Sequence, residues 1–125
     1  MAGYQYTVIV GNVGRDPDMR YTPAGVPVCD FSVAVNRVWN DKASGERVEE
    51  VTWYKVVCWR QLAEIASQYV VSGRQVMVAG RVSVDAYIDK QGEARATLEL
   101  TAQDLQLLGA RGDTVEDEQR EDEPF

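Results

Sequence analysis

The chain has 125 residues, 45% of them hydrophobic and 26% charged, with a formal net charge of −7. These values fit one compact domain and exclude a wholly disordered chain or a fibrous repeat; no apolar run approaches the roughly 20 residues that a membrane helix needs. With no histidine and only two cysteines, Cys29 and Cys58, neither a His-dependent triad nor a tetrahedral zinc site can be assembled from this sequence, and no metal or cofactor is expected.

The opening MAGYQYTVIVG has no charged stretch ahead of an apolar one, so a secretory signal is not expected and the cytoplasm is the expected compartment. There, Cys29 and Cys58 should be buried free thiols. Tyr4 to Val13 is rich in β-branched and aromatic residues, closes at Gly14, and predicts a first strand. The following RDPDMRYTPAGVP, with its prolines and glycine, reads as a long connection. In Val28 to Val35, the side chains of Cys29, Phe31, Val33 and Val35 alternate with Asp30, Ser32 and Ala34, which predicts a second strand with one face on a core. WNDKASGERVEE is polar with Ser-Gly at its middle, the composition of a long hairpin loop.

Val51 to Arg60 predicts a third strand, and QLAEIASQYVVSG places Leu62, Ile65, Ala66, Tyr69 and Val70 at helical spacing, with Gly73 as the stop. Arg74 to Tyr87 alternates Val76, Val78, Val82 and Val84 with more polar positions, and its Gly80 marks a bend of the kind used at barrel corners. A Gly-centred turn then leads into a fifth strand, Ala96 to Leu108. Five strands with one helix between the third and fourth is the all-β layout of the OB-fold, a five-stranded Greek-key barrel, although an SH3-like barrel or a small sandwich has similar content.

Residues 109–125 hold seven acids and two arginines, a net of −5, against 11 basic and 13 acidic side chains, a net of −2, in residues 1–108. With Val115 and Phe125 as its only large apolar groups, the tail is expected to be disordered, and the folded domain to end at residue 108. A disordered polyanion beside a nearly neutral domain leaves a local basic groove intact, so the acidic total does not argue against a nucleic-acid partner.

Function is read from the third strand. Val51, Trp53, Lys55, Val57 and Trp59 share one face, and Thr52, Tyr54, Val56 and Cys58 the other. A lysine on a core face would be a buried charge, so the tryptophan face is expected outside, its two indoles about 20 Å apart at roughly 3.3 Å per residue. Two indoles flanking a cation suit base stacking with a phosphate contact beside it. Trp39 and Tyr87 sit in or beside loops carrying Arg37, Lys42 and Arg47, and Lys90 and Arg95. Alternation assigns Trp39 to the face of Phe31 and Val35, so its exposure requires a bulge or the strand's end. The pairs Asp16 and Asp18, or Glu49 and Glu50, lack an identifiable third metal ligand and read as solvated loop charge, so no enzyme is expected.

Several segments together resemble the bacterial-type single-stranded DNA-binding proteins: VGNVGRDPDMRYTPAG, WNDKASGE, TWYKVVCW, LAEIASQYVVSG and the final DEPF, in order and at family spacing. The resemblance implies an OB-fold that assembles as a homotetramer and wraps single-stranded DNA without sequence preference during replication, recombination and repair, in the nucleoid. It implies that Trp39, Trp53, Trp59 and Tyr87 stack on bases and that Arg20 and Lys55 touch phosphates. Val84, Asp85 and Ala86 stand where relatives often carry basic side chains, which implies weaker or more salt-sensitive binding near Tyr87. Family tails end in acids followed by Pro-Phe and dock on genome-maintenance proteins; Asp122, Glu123, Pro124 and Phe125 match that tip, with Glu123 where an apolar residue is common. The linker from Gly109 to Arg120 is short for the family.

Overall fold

The computed structural model describes residues 2–109. The expected disordered tail and its tip, Asp122 to Phe125, lie outside the described residues. In chain order the elements are β1 (Thr7–Val13), β2 (Asp18–Tyr21), β3 (Pro27–Asn40), β4 (Arg47–Trp59), α1 (Gln61–Tyr69), β5 (Gln75–Ile88) and β6 (Ala94–Leu108). The sheet runs β1-β5-β6-β4-β3-β2, and an additional β1–β3 pairing closes the five longer strands into the expected barrel. All pairings are antiparallel except β4 with β6, which is parallel over Tyr54↔Leu98 to Val57↔Thr101.

The alternation read from the second, third and fourth strands is the alternation the core uses, except at Val84, which is exposed where β5 runs past the core. Cys29, Phe31, Val33, Val56, Cys58, Val76, Val78 and Leu100 are fully buried in one cluster with Ile9 and Val13. Cys29 and Cys58 are free thiols, as expected, and burial pushes them up to about 11 and about 12 respectively. Gly80 marks the bend: the β5–β6 register shifts between Ala79 and Gly80. A side chain on Gly80 would run into the Thr101 carbonyl oxygen, so the strands can approach this closely only at a glycine.

Four expectations need correction. The stretch after Gly14 is not all connection, because β2 pairs with β3 from Asp18↔Asp30 to Tyr21↔Pro27. Its prolines do not interrupt that ladder: Pro17 precedes β2, Pro27 opens β3, and Pro23 sits inside a turn closed by Gly25 N–H donating to the Thr22 carbonyl at 2.8 Å. The β3–β4 hairpin is longer than alternation indicated, pairing out to Asn40↔Arg47 and leaving residues 41–46 as the loop. This outer arm lies beyond the core, so both faces are wet and no apolar alternation marks it. The helix buries Ala63 and Ala66, with Val70 just past its end, rather than Ile65 and Tyr69, which are exposed. Alanines let its backbone approach the barrel end, where larger side chains would hold it off. Finally, α1 ends at Tyr69, and Gly73 belongs to the turn into β5, donating its N–H to the Val13 carbonyl at 2.7 Å.

Candidate nucleic-acid interface

Strand register determines what lies on the non-core face. On β4, Trp53 stands opposite Ala34, Lys55 opposite Ser32, Val57 opposite Asp30 and Trp59 opposite Val28 of β3. Lys55 is also in register with Glu99 of β6, and Glu99 with Ser83 of β5, so Ser32, Lys55, Glu99 and Ser83 form one row across four strands. Side chains directly across a ladder point the same way, so this row shares the face of both tryptophans. Trp53 is 55% exposed and Trp59 45%, while Tyr54 is half-buried and Val56 and Cys58 are buried beneath them. The face deduced from the position of Lys55 is therefore the outer one.

Trp53 is also held in place. A Cβ at Gly14 would lie 2.6 Å from Trp53 Cζ3 and 2.7 Å from Ser32 Oγ, so the end of β1 leaves room for the indole only because residue 14 has no side chain. Tyr87 lies on the same sheet face, opposite Arg95 and past the point where β4 and β6 stop pairing, and is 47% exposed.

Trp39 behaves differently. The β3–β4 register runs without interruption, which puts Trp39 on the face of Phe31, opposite in sense to Trp53. It is 37% exposed because the arm outruns the core, not because of a bulge, and the Arg37 guanidinium carbon lies 4.7 Å from its ring centroid. The structure thus brings Trp53, Lys55, Trp59 and Tyr87 onto one sheet face and leaves Trp39 with Arg37 on the other side of the arm.

The cations divide into tied and free. Arg20 Nη1 donates to Asp30 Oδ2 at 2.6 Å, and Arg15 Nη2 to Asp30 Oδ1 at 3.1 Å. The Asp30 residue is 4% exposed. Burial alone would raise its pKa, but the hydrogen bonds from Arg20 and then Arg15, with their charges, outweigh that and hold the carboxyl below its ordinary value. Asp30 escaped sequence reasoning because alternation assigned it to a wet face; its burial comes from the β2 hairpin and its two arginines. Arg47 pairs with Glu49 at 3.2 Å. Arg95 pairs with Asp89 at 2.8 Å and Glu93 at 3.4 Å. That guanidinium, followed by the Glu93 backbone N–H, lowers the Asp89 pKa. Among the described residues Lys42, Lys55 and Lys90 are in no ion pair, Lys42 and Lys90 standing at the two hairpin tips.

Between the β2 hairpin and β6 the face dips into a groove of about 260 Å³ lined by Arg20, Tyr21, Thr22, Lys55, Trp59 and Glu99, with Val28 and Val57 at its base. Among the described residues no group of three His, Cys, Asp or Glu stands ready for a metal, and no helix is long and apolar enough to cross a membrane.

Comparison with known proteins bears on this face. Residues 4–108 match the model of the single-strand binding protein family. Proteins named single-stranded DNA-binding protein from Neisseria meningitidis serogroup A and serogroup B are each 41% identical to the chain over 106 residues, 85% of this chain and 60% of the relative. The chain thus spans about three-fifths of the length of those relatives. Among solved structures, the Plasmodium falciparum SSB complex with ssDNA superposes with a TM-score of 0.76 at 23% identity, covering 87% of this chain and 98% of that one. The small single-stranded DNA-binding protein from Streptomyces coelicolor gives 0.72 at 28% identity, covering 86% and 97%.

Proposed function

The chain belongs to the single-strand binding protein family over residues 4–108, and from that premise we propose that it binds single-stranded DNA without sequence preference, as a binding protein rather than an enzyme. The observation that carries this reading is the outer face of β4, where two half-exposed tryptophans flank Lys55, a cation in no ion pair. Every base has a π-face, so Trp53, Trp59 and Tyr87 accept bases by stacking, each worth about 1–3 kcal/mol. Trp39 does the same from the other side of the arm, so the strand must pass around that arm to reach it. Lys55, Lys42 and Lys90 meet phosphates directly. Arg20, Arg37, Arg47 and Arg95 add to the field while staying near their present partners.

Relatives named for single-stranded DNA binding support this reading, and the family resemblance supports its finer parts. The chain serves replication, recombination and repair in the cytoplasm, at the nucleoid. Residues 1–108 are the DNA-binding domain and residues 109–125 an acidic tail. The tip, Asp122, Glu123, Pro124 and Phe125, recruits genome-maintenance proteins. The chain assembles as a homotetramer, a role for which the exposed Tyr6 and Val8 of the β1 region offer apolar surface.

The test is tryptophan fluorescence during titration with oligo(dT) at two salt concentrations, beside a duplex of equal length. Strong quenching by the single strand alone is expected, with a salt slope near 0.7 per phosphate contacted. No quenching at low salt would overturn the stacking face.

A further inference from the structure

Glu99 is the unexplained member of the DNA-facing surface. A carboxylate repels a polyanion, yet this one is half-buried, lines the groove beside Trp59, and stands in register with Lys55. It is in no ion pair among the described residues, Lys55 included. Two other carboxylates of the fold are held by guanidinium groups, Asp30 by Arg15 and Arg20 and Asp89 by Arg95, whereas Asp85, which follows Ser83 on this face, is exposed and outside the groove. Glu99 is therefore an acceptor without a donor, in a groove whose volume, about 260 Å³, lies just under the roughly 300–1,000 Å³ of small-molecule pockets and suits one base rather than two.

Resting on the reading that this face binds single-stranded DNA, we propose that Glu99 is a base-discriminating residue. A base stacked on Trp59 presents its edge to Glu99 and Lys55, and the groove favours cytosine and adenine over thymine. Trp59 supplies the part of the contact that every base shares, since stacking needs only a π-face. Glu99 and Lys55 supply an acceptor beside a donor, on neighbouring strands about 4.8 Å apart. Cytosine matches that pair with its N4 amine and adjacent N3, and adenine with its N6 amine and adjacent N1. A carboxylate accepting from cytosine N4 is an established pairing in nucleic-acid recognition. Thymine has no amine: its one donor, N3–H, lies between two carbonyl oxygens, and with Lys55 covering one of them the other still faces the carboxylate and repels it, whereas the far side of the cytosine amine is an uncharged C5–H. Arg20 cannot erase the effect by neutralising Glu99, because Asp30 already holds it at 2.6 Å.

The proposal concerns a bias within general binding. A carboxylate-to-amine contact at one base is expected to shift relative affinity about fivefold, the low end of what one good base-edge contact achieves. The test compares dissociation constants for oligo(dC) and oligo(dT) of one length, at one salt concentration, for the parent protein, Glu99→Gln and Glu99→Ala. Melting temperatures confirm that both variants fold. In Glu99→Ala the ratio Kd(dC)/Kd(dT) should rise about fivefold, with weaker dC binding. Glu99→Gln should raise it too, because its N–H₂ donates to a thymine carbonyl while its neutral oxygen accepts from cytosine N4 less strongly than a carboxylate does.

Tightening of both oligonucleotides by one common factor would overturn the proposal, leaving Glu99 as a repulsive charge only. An unchanged ratio would overturn it too. If the parent binds neither oligonucleotide, the DNA-binding reading itself fails and this inference falls with it. A parent that binds both, with a ratio indifferent to residue 99, refutes this inference alone.

Discussion

Gly14→Ala separates the alignment of Trp53 from its presence. The added methyl would stand 2.6 Å from Trp53 Cζ3 and 2.7 Å from Ser32 Oγ, where ordinary carbon contacts begin near 3.5 Å. Something must therefore move by about 1 Å. Gly14 is not among the residues with positive φ, so alanine meets no backbone penalty and the perturbation is steric. The indole, 55% exposed, is free to swing toward solvent, so the stability cost should sit near the low end of the roughly 1–3 kcal/mol typical of overpacking. Binding is affected differently. If Trp53 contributes one stack of about 1–3 kcal/mol, losing its orientation weakens oligo(dT) binding by about 5- to 150-fold. The assay is fluorescence titration of the parent, Gly14→Ala, Trp53→Ala and the double variant, with melting temperatures alongside. Gly14→Ala should approach Trp53→Ala in affinity, and the double variant should lose little more. Parent-like affinity and emission in Gly14→Ala would refute the claim that this glycine sets the indole's position, and additive losses would show that the two residues act separately.

Asp30→Asn should lower stability at pH 7 by about 1–2 kcal/mol, discounted because both arginines are half-exposed. The folded-state pKa of Asp30 lies below its unfolded value, so this contribution is full above the unfolded pKa and fades as pH falls through the folded one. Urea unfolding at pH 7 and at pH 3 should therefore show a gap between parent and variant that narrows in acid; a constant gap would contradict the ion-pair account. Phe31→Ala, at a fully buried position, should cost about 3–5 kcal/mol, read as a large drop in the urea midpoint. Cys29 and Cys58, fully buried and raised to about 11 and about 12, should resist a thiol reagent at pH 8 until the protein is unfolded, and labelling at the rate of free cysteine would contradict their burial.

What the sequence made legible was what alternation encodes. Cys29, Phe31 and Val33 against Asp30 and Ser32, and Lys55 against Tyr54 and Val56, identify the core face and the outer face without reference to any partner strand. The strand β2 escaped because four residues between prolines, with Met19 the one that packs against the core, are too few to show alternation; it exists through the ladder to β3 and through Arg20 reaching Asp30. The long arms escaped for a related reason, since strands wetted on both faces show no period-two signal. The helix misled through size: Ile65 and Tyr69 fit an apolar stripe, but the barrel end accepts alanine and valine. Parity placed Trp39 correctly on the Phe31 face, yet its exposure depends on where the core stops, a fact that no local window contains.

The position of β1 has a consequence for how the chain acquires its shape. This strand, made before the other described strands, pairs along most of its length with β5, from Thr7↔Gly80 to Asn12↔Gln75, and touches β3 only at Asn12↔Ala34 and Val13↔Val33. While residues up to about Gln75 are still being made, Ile9 and the other apolar side chains of β1 have no completed partner, and among the described residues the β3–β4 hairpin is the only long ladder available. Closure must wait for β5 and β6, so the barrel is a product of contacts distant in sequence and should form in milliseconds to seconds rather than microseconds. During synthesis, the unpaired edge of β1 is, among the described residues, the part most open to mispairing with a neighbouring copy.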